Sequence, residues 1–137
     1  MDPICGWLDA NIVLRYLLND HPEHSPRAGA LVERAERGEV KLKVAPHIVC
    51  EIVYVLESQE YSREEIYTAL SDFSRIEGVE LVDADVVLEA ALDYKDKNVD
   101  FLDALLASIS RTYSEKVWTF NKKHFARMEG VLEEPGL

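Results

Sequence analysis

Asp9, Glu51, Asp103 and Asn121 are the residues of this chain whose types and positions point to chemistry. Glu51 is the sole charge in the apolar run Ile48-Val49-Cys50-Glu51-Ile52-Val53-Tyr54-Val55-Leu56. On a helix at about 100° per residue, Tyr54 and Val55 flank it on either side, which predicts that it faces protein rather than bulk water. A carboxylate taken out of water must be protonated, paired with a cation or bound to a metal. Asp9 and Asn121 each directly follow a short apolar segment, and Asp103 opens a helical one. Gathered at one place, the acids repel: two carboxylates about 5 Å apart cost roughly 3 kcal/mol at an effective dielectric near 20. A divalent cation removes that cost. Three carboxylates and an amide suit an oxygen-seeking ion such as Mg²⁺ or Mn²⁺, and the chain lacks the Cys/His pattern of structural zinc. An ion held this way lowers the pKa of bound water, orients it toward a phosphodiester and neutralises charge on the pentavalent transition state, which is hydrolytic nuclease chemistry.

The elements that must position these residues follow from the apolar runs and the residues that punctuate them. Residues 4–8 read as a buried strand and residues 11–18 as a helix carrying Ile12, Leu14, Tyr16, Leu17 and Leu18. Asn19-Asp20-His21-Pro22 makes a turn. Ser25 caps the next helix, Pro26 opens it and Gly38 ends it. Residues 41–45 form a second strand, and Pro46 suits the first turn of the helix that carries Glu51 as far as about residue 58. Ser62 with Glu65 is a capping box that starts another helix, which Gly78 stops. Residues 79–82 are a third strand. Asp83 caps a helix to about residue 95, and Asp100 caps one to about residue 113. Residues 116–120 are a fourth strand, followed by a short helix over 122–127 and an edge strand at Val131-Leu132. Strands alternating with helices imply an α/β fold with a short parallel sheet of four to five strands covered on both faces. Ligands of such sheets gather at the carboxyl ends of the strands, an end on which Asp9, Glu51, Asp103 and Asn121 could all converge.

A chain of 137 residues, 47% hydrophobic and 30% charged, suits one domain over 1–137 with one core. Its apolar stretches fall short of the roughly 18 to 20 residues that span a bilayer, and Met1-Asp2-Pro3 is not the basic start of a secretory signal, so a cytoplasmic protein with no membrane partner is expected. Cys5 and Cys50 lie in apolar segments and read as reduced, packed thiols. With 15 basic against 26 acidic residues, the net charge of −11 argues against a broad basic nucleic-acid surface. It does not exclude a local one. Potentials decay over roughly 8 Å at physiological salt, so Lys122, Lys123 and Arg127 beside a bound metal can still hold phosphate.

Plain structural roles compete with this reading. Acids beside strand ends commonly cap the next helix, and Asp9, Asp83, Asp100 and Asp103 all fit that role, which is preferred for Asp83 and Asp100. Glu51 lies about five residues inside its helix, beyond a cap, so its structural alternative is a buried ion pair. His21 and His24 have the spacing of a metal pair but lie in a proline-containing loop and read as solvated, and His47 reads as a helix-start residue. Leu102, Leu105, Leu106 and Ile109 form a stripe read as core, and residues 33–39 read as a solvated helix face and turn.

Trp7-Leu8-Asp9-Ala10-Asn11, Glu51 in its apolar helix, Val99-Asp100-Phe101-Leu102-Asp103-Ala104 and Thr119-Phe120-Asn121 resemble the ordered motifs of PIN-domain nucleases. The short chain looks most like the VapC-type toxins of toxin–antitoxin pairs. The resemblance implies a three-layer α/β/α sandwich, Mg²⁺- or Mn²⁺-dependent RNA cleavage, frequent homodimers and inhibition by a VapB-like antitoxin. By position, Asp9, Glu51 and Asp103 match the family's metal-binding acids, Asn11 its polar partner after the first acid, Asp100 an accessory acid and Thr119 the residue that often precedes the fourth site. Asn121 departs from the pattern, because the family commonly has Asp there. One divalent ion leaves such a three-acid site formally negative and two leave it positive, so one tightly held ion is expected, with any second arriving with RNA phosphate.

Two rivals remain at this point. Another Mg²⁺-dependent phosphoryl-transfer protein would accept phosphate on Asp9, a scheme in which Glu51 has no natural role. A non-catalytic binding module would keep the acids as a vestige, an option that the neutral Asn121 leaves open.

Overall fold

The computed structural model describes residues 2–128 and 132–136. The chain divides into two compact units, Met1–Ala84 and Asp85–Leu137. In the first, the order is β1 (Ile4–Trp7), α1 (Ala10–Leu18), α2 (His24–Glu36), β2 (Val40–Val44), α3 (Pro46–Ser58), α4 (Arg63–Ser74) and β3 (Val79–Leu81). The strands form one parallel sheet in the order β1-β2-β3, with Ile4 paired to Val40 and Leu42 to Val79. The alternation of strands and helices dictates this parallel arrangement, as expected.

The central strand β2 buries Val40, Leu42 and Val44 and leaves Lys41 and Lys43 half-exposed, the period of two that an extended backbone imposes. β1 differs from the expected buried strand. It is the edge of its sheet, and Ile4 and Trp7 are 69% and 64% exposed; burial begins one residue later, at Leu8. The Lys43 ammonium lies 5.4 Å from the centre of the Trp7 ring, which gives that ring a cation–π partner across the β1–β2 pair.

Helix α3 buries Val49, Ile52, Val53 and Leu56, the i, i+3, i+4, i+7 stripe of a one-sided helix. Glu51 lies about 200° around the axis from Val49, on the opposite side, and it is exposed. The expectation that it faces protein is therefore corrected: Tyr54, the flanking residue meant to cover it, is itself 73% exposed. Helix α4 starts at the expected capping box, in which Ser62 Oγ accepts the Glu65 N–H and Glu65 Oε1 accepts the Ser62 N–H. Helix α2 does not use Ser25 as its cap. Ser25 is buried inside the helix with its hydroxyl accepting the His21 N–H, while His21 Nδ1 accepts the amides of Glu23 and His24.

The second unit comprises α5 (Ala84–Lys97) from its second residue onward, α6 (Phe101–Thr112), β4 (Val117–Trp118), α7 (Lys122–Phe125) and β5 (Leu132–Glu133), with β4 and β5 parallel. The expected last strand included Val131, which lies outside the described residues. Asp83, just before α5, has φ of 56°, left-handed rather than the extended conformation of an ordinary N-cap. Tyr94 of α5 meets Phe101 of α6 edge-on at 5.8 Å, and Ser108 donates to the Val86 carbonyl at 2.8 Å. Arg111 Nη2 lies 2.6 Å from Asp93 and 2.7 Å from Glu89, a three-charge clasp between the two helices that the sequence reading missed. The buried side of α6 carries Phe101, Ala104, Leu105, Ala107, Ser108 and Ser110, with Phe101, Ala104, Leu105 and Ser108 as its central stripe. Of the four residues read as core, Leu105 is buried and Leu102, Leu106 and Ile109 are exposed, because they lie one helical step round from that stripe. Among the described residues neither cysteine forms a disulfide, and Cys5 is exposed rather than packed. Among the described residues no helix is long and apolar enough to cross a membrane.

Candidate active site

In the first unit, Asp9 follows β1 and is the N-cap of α1. Its backbone is extended and its Oδ1 accepts the Ala10 N–H at 2.8 Å. The cap uses one carboxylate oxygen and the side chain is exposed, so the capping and ligand roles are compatible. Asn11 is exposed in the first turn of the same helix. Glu51, from the second turn of α3, makes no hydrogen bond or ion pair among the described residues. Its buried ion-pair alternative fails on both counts, since it is neither buried nor paired.

In the second unit, Asp100 is the N-cap of α6, accepting the Leu102 N–H at 3.0 Å, and Asp103 follows in the first turn. Negative charge at this end is favoured by the helix dipole. Asp103 is only 23% exposed, and its Oδ2 lies 3.0 Å from Nδ1 of His124 in α7. His124 is absent from the sequence reading, which counted the cations around it. The signal was its place one helical turn past Asn121, between Lys123 and Arg127.

Asp100 and Asp103 form one wall, and Lys123, His124 and Arg127 the other, of a cavity of about 210 Å³. Arg127 is tethered by donating from Nη1 to the Asn98 carbonyl at 2.9 Å. Lys122 points elsewhere and pairs with Glu134 at 2.7 Å, so two of the three expected phosphate contacts face this cavity and one is engaged by an acid. Asn121 is exposed at the start of α7, its side chain making no cap and its N–H donating to Thr119 Oγ1 at 2.9 Å. Thr119 thereby shapes the turn that presents Asn121, and its own N–H is held by the Glu133 carbonyl at 3.0 Å.

Among the described residues, neither unit by itself gathers three His, Cys, Asp or Glu side chains into a metal-binding group. The donor chemistry nevertheless suits a hard cation: carboxylate oxygens in each unit, one of them unengaged on Glu51, and no thiolate in the set.

A family model for the PIN domain matches residues 7–131, a span that takes in Asp9, Glu51, Asp103 and Asn121. The chain belongs to the PIN-domain family. PIN domains are generally nucleases that depend on a divalent metal, which is the chemistry the acids suggest, and the parallel sheet and alternating helices agree with the PIN fold. No curated protein sequence matches the chain. Among solved structures, one similar chain comes from the crystal structure of VapBC2 from Rickettsia felis bound to a DNA fragment from their promoter. It is 16% identical at a TM-score of 0.39, with 97% of this chain and 100% of that one covered.

Proposed function

We propose that this PIN domain, taken as one domain over residues 1–137, is a Mg²⁺- or Mn²⁺-dependent endoribonuclease and the toxin of a VapBC-type toxin–antitoxin pair. The observation that carries the reading is the family match over residues 7–131, a span that includes Asp9, Glu51, Asp103 and Asn121. Asp9, Glu51 and Asp103 hold the metal ion, and Asn121 contributes its amide oxygen. The bound ion supplies a more acidic water as nucleophile and charge neutralisation at the phosphodiester. His124 holds the Asp103 carboxylate in one orientation, the kind of outer-shell contact that keeps a ligating group in place. Lys123 and Arg127, across the cavity from Asp100 and Asp103, draw the substrate phosphate toward the acids. A small antitoxin, a second copy of the chain as homodimer and a cytoplasmic setting complete the reading.

The test is RNA cleavage with Mn²⁺ by the Asp9→Asn and Asp103→Asn variants. Losing an outer-shell partner of a metal site costs about 10- to 100-fold, so losing a ligand should cost about 100-fold or more while the circular dichroism stays native. Full activity in both variants would refute the assignment.

A further inference from the structure

A second concavity, of about 690 Å³, opens between α1 and α2 in the first unit. Ile12 and Leu31 contribute apolar surface, and Asn11, Arg15, Arg27, His21 and His24 provide its polar groups. No acid lines it, although the chain carries 26 acids against 15 basic residues. Charges beyond about 8 Å are largely screened at physiological salt, so a ligand in the groove responds to these arginines more than to the net charge of −11.

The groups differ in how they are held. Asp20 engages one terminal nitrogen of Arg15 at 2.9 Å, which fixes the side chain and leaves the other guanidinium donors. Arg27 makes no ion pair or hydrogen bond among the described residues. The His21 and His24 rings stack at 4.1 Å with 10° between their planes. His21 Nδ1 accepts the His24 and Glu23 amides at 2.9 and 3.2 Å, so the ring is fixed and Nε2 is its remaining donor. The result is a flat π surface, anchored at His21, beside two guanidinium forks and an apolar patch. Phosphates take bidentate hydrogen bonds from such forks, and unpaired bases stack on flat π surfaces. The acidic side chains of a peptide would use the arginines but bring no aromatic ring to stack on the imidazole pair.

The groove also has a direction. Asp9 caps α1, Asn11 is in the first turn, and Arg15 is one turn further, about 6 Å along the axis. A strand whose scissile phosphate sits at Asp9 therefore continues over Asn11 and Arg15 toward Arg27.

We propose that the α1–α2 groove is a subsite for single-stranded RNA, with Arg15 and Arg27 on a backbone phosphate away from the scissile bond and the His21–His24 pair beneath a base. The proposal rests on the ribonuclease reading. The test uses the full chain carrying Asp103→Asn, so that RNA stays intact, and measures binding of a fluorescein-labelled polyuridine strand by anisotropy across a salt series. Adding Arg27→Ala should weaken binding by about tenfold and lower the slope of log K against log salt by about 0.7, the value for one phosphate contact on a single strand. Adding His24→Ala should weaken binding by about tenfold, on the scale of one base stack, with the slope unchanged. Unchanged affinity and slope in both variants would overturn the subsite, as would absence of RNA binding. Polyglutamate binding lost on Arg27→Ala, with RNA affinity unaffected, would also overturn it, in favour of an acidic protein segment. Cleavage by the otherwise unaltered chain separates the two readings. No cleavage with Mn²⁺ refutes the ribonuclease, whereas full cleavage with KM unaltered by Arg27→Ala refutes the subsite alone.

Discussion

Gly78 and Gly38 share a backbone conformation and differ in what surrounds them, so substituting alanine at each separates two causes of instability. Their φ angles are +86° and +79°, both left-handed. A Cβ added to Gly38 meets nothing within 4 Å; one added to Gly78 lies 2.4 Å from the Ala35 carbonyl oxygen and 2.8 Å from the Ala35 Cβ. The left-handed conformation costs an alanine about 1–2 kcal/mol at either site. At Gly78 the obstruction is backbone. Ala35 is fully buried on α2, and its carbonyl already accepts the Gly38 N–H at 2.9 Å, so no rotamer change relieves the overlap. The junction is pinned on its other side too, where the Gly78 carbonyl accepts the Leu42 N–H at 2.8 Å. Overpacking of a filled core adds about 1–3 kcal/mol. Gly78→Ala should therefore be less stable than Gly38→Ala by about 2 kcal/mol, with Tm lower by roughly 6–10 °C for a chain of this size. Urea denaturation followed by circular dichroism measures the difference directly. Equal midpoints for the two variants would refute the reasoning. Because α2 carries Arg27 and Leu31, Gly78→Ala should also distort the α1–α2 groove, which Gly38→Ala should leave intact.

Arg111→Met should destabilise the protein by about 2 kcal/mol. Removing one member of a buried charge pair costs roughly 3–5 kcal/mol, and here Arg111 is 27% exposed and Lys97 still lies 3.3 Å from Asp93. Burial favours the neutral form of Arg111, and the hydrogen bond and charges of Asp93 and Glu89 more than offset this, so its pKa is raised. Asp93→Asn on top of Arg111→Met should restore part of the loss in urea melts; a further additive loss would show that the clasp is not coupled. Glu65 has its pKa lowered from 4.5, chiefly by the Ser62 backbone N–H and then by the Ser62 hydroxyl, with burial acting weakly the other way. The unfolded chain thus binds this proton first as the pH falls. The contribution is complete above about pH 4.5 and disappears as pH drops through the lower folded value. Stability should fall more steeply on acidification in the native chain than in Glu65→Gln, and superimposable pH profiles would contradict this.

What could be read from the sequence was what local chemistry decides. The Ser62–Glu65 box, Pro46 at the head of α3 and Asp100 as a cap each satisfy orphan amides or fix φ within a few residues, and the elements begin where those residues sit. Ser25 was misread because a competing acceptor, the imidazole of His21, reached the first amides of α2, and a cap rule has no means of ranking a histidine three residues upstream. The errors on α3 and α6 are of another kind. Both helices carry enough apolar residues to supply two overlapping stripes, and periodicity alone does not choose the one that packs. On α6 the residue types offered a discriminator: Ala104, Ala107 and Ser108 are small and fully buried, and Ser108 donates to the Val86 carbonyl of α5, whereas Leu102 and Leu106 remain exposed.

The same ambiguity governs Glu51, and resolving it changes the argument for the residue. If Glu51 were buried, its charge would need a compensating partner whatever the protein did, and an ion pair would explain it as well as a metal. On the exposed side of α3 no such demand exists, and water alone would satisfy it. Burial therefore no longer argues for a metal. What remains is an unengaged carboxylate on the open face of an otherwise apolar helix, inside the matched PIN span. A ligand role is compatible with that position, because an exposed acid without a cation has no ion pair to break before it binds one. Glu51→Gln should accordingly leave stability within about 0.5 kcal/mol of the native chain, the range of ordinary surface substitutions, while it abolishes Mn²⁺-dependent cleavage. A variant that loses stability and retains cleavage would return Glu51 to a purely structural role.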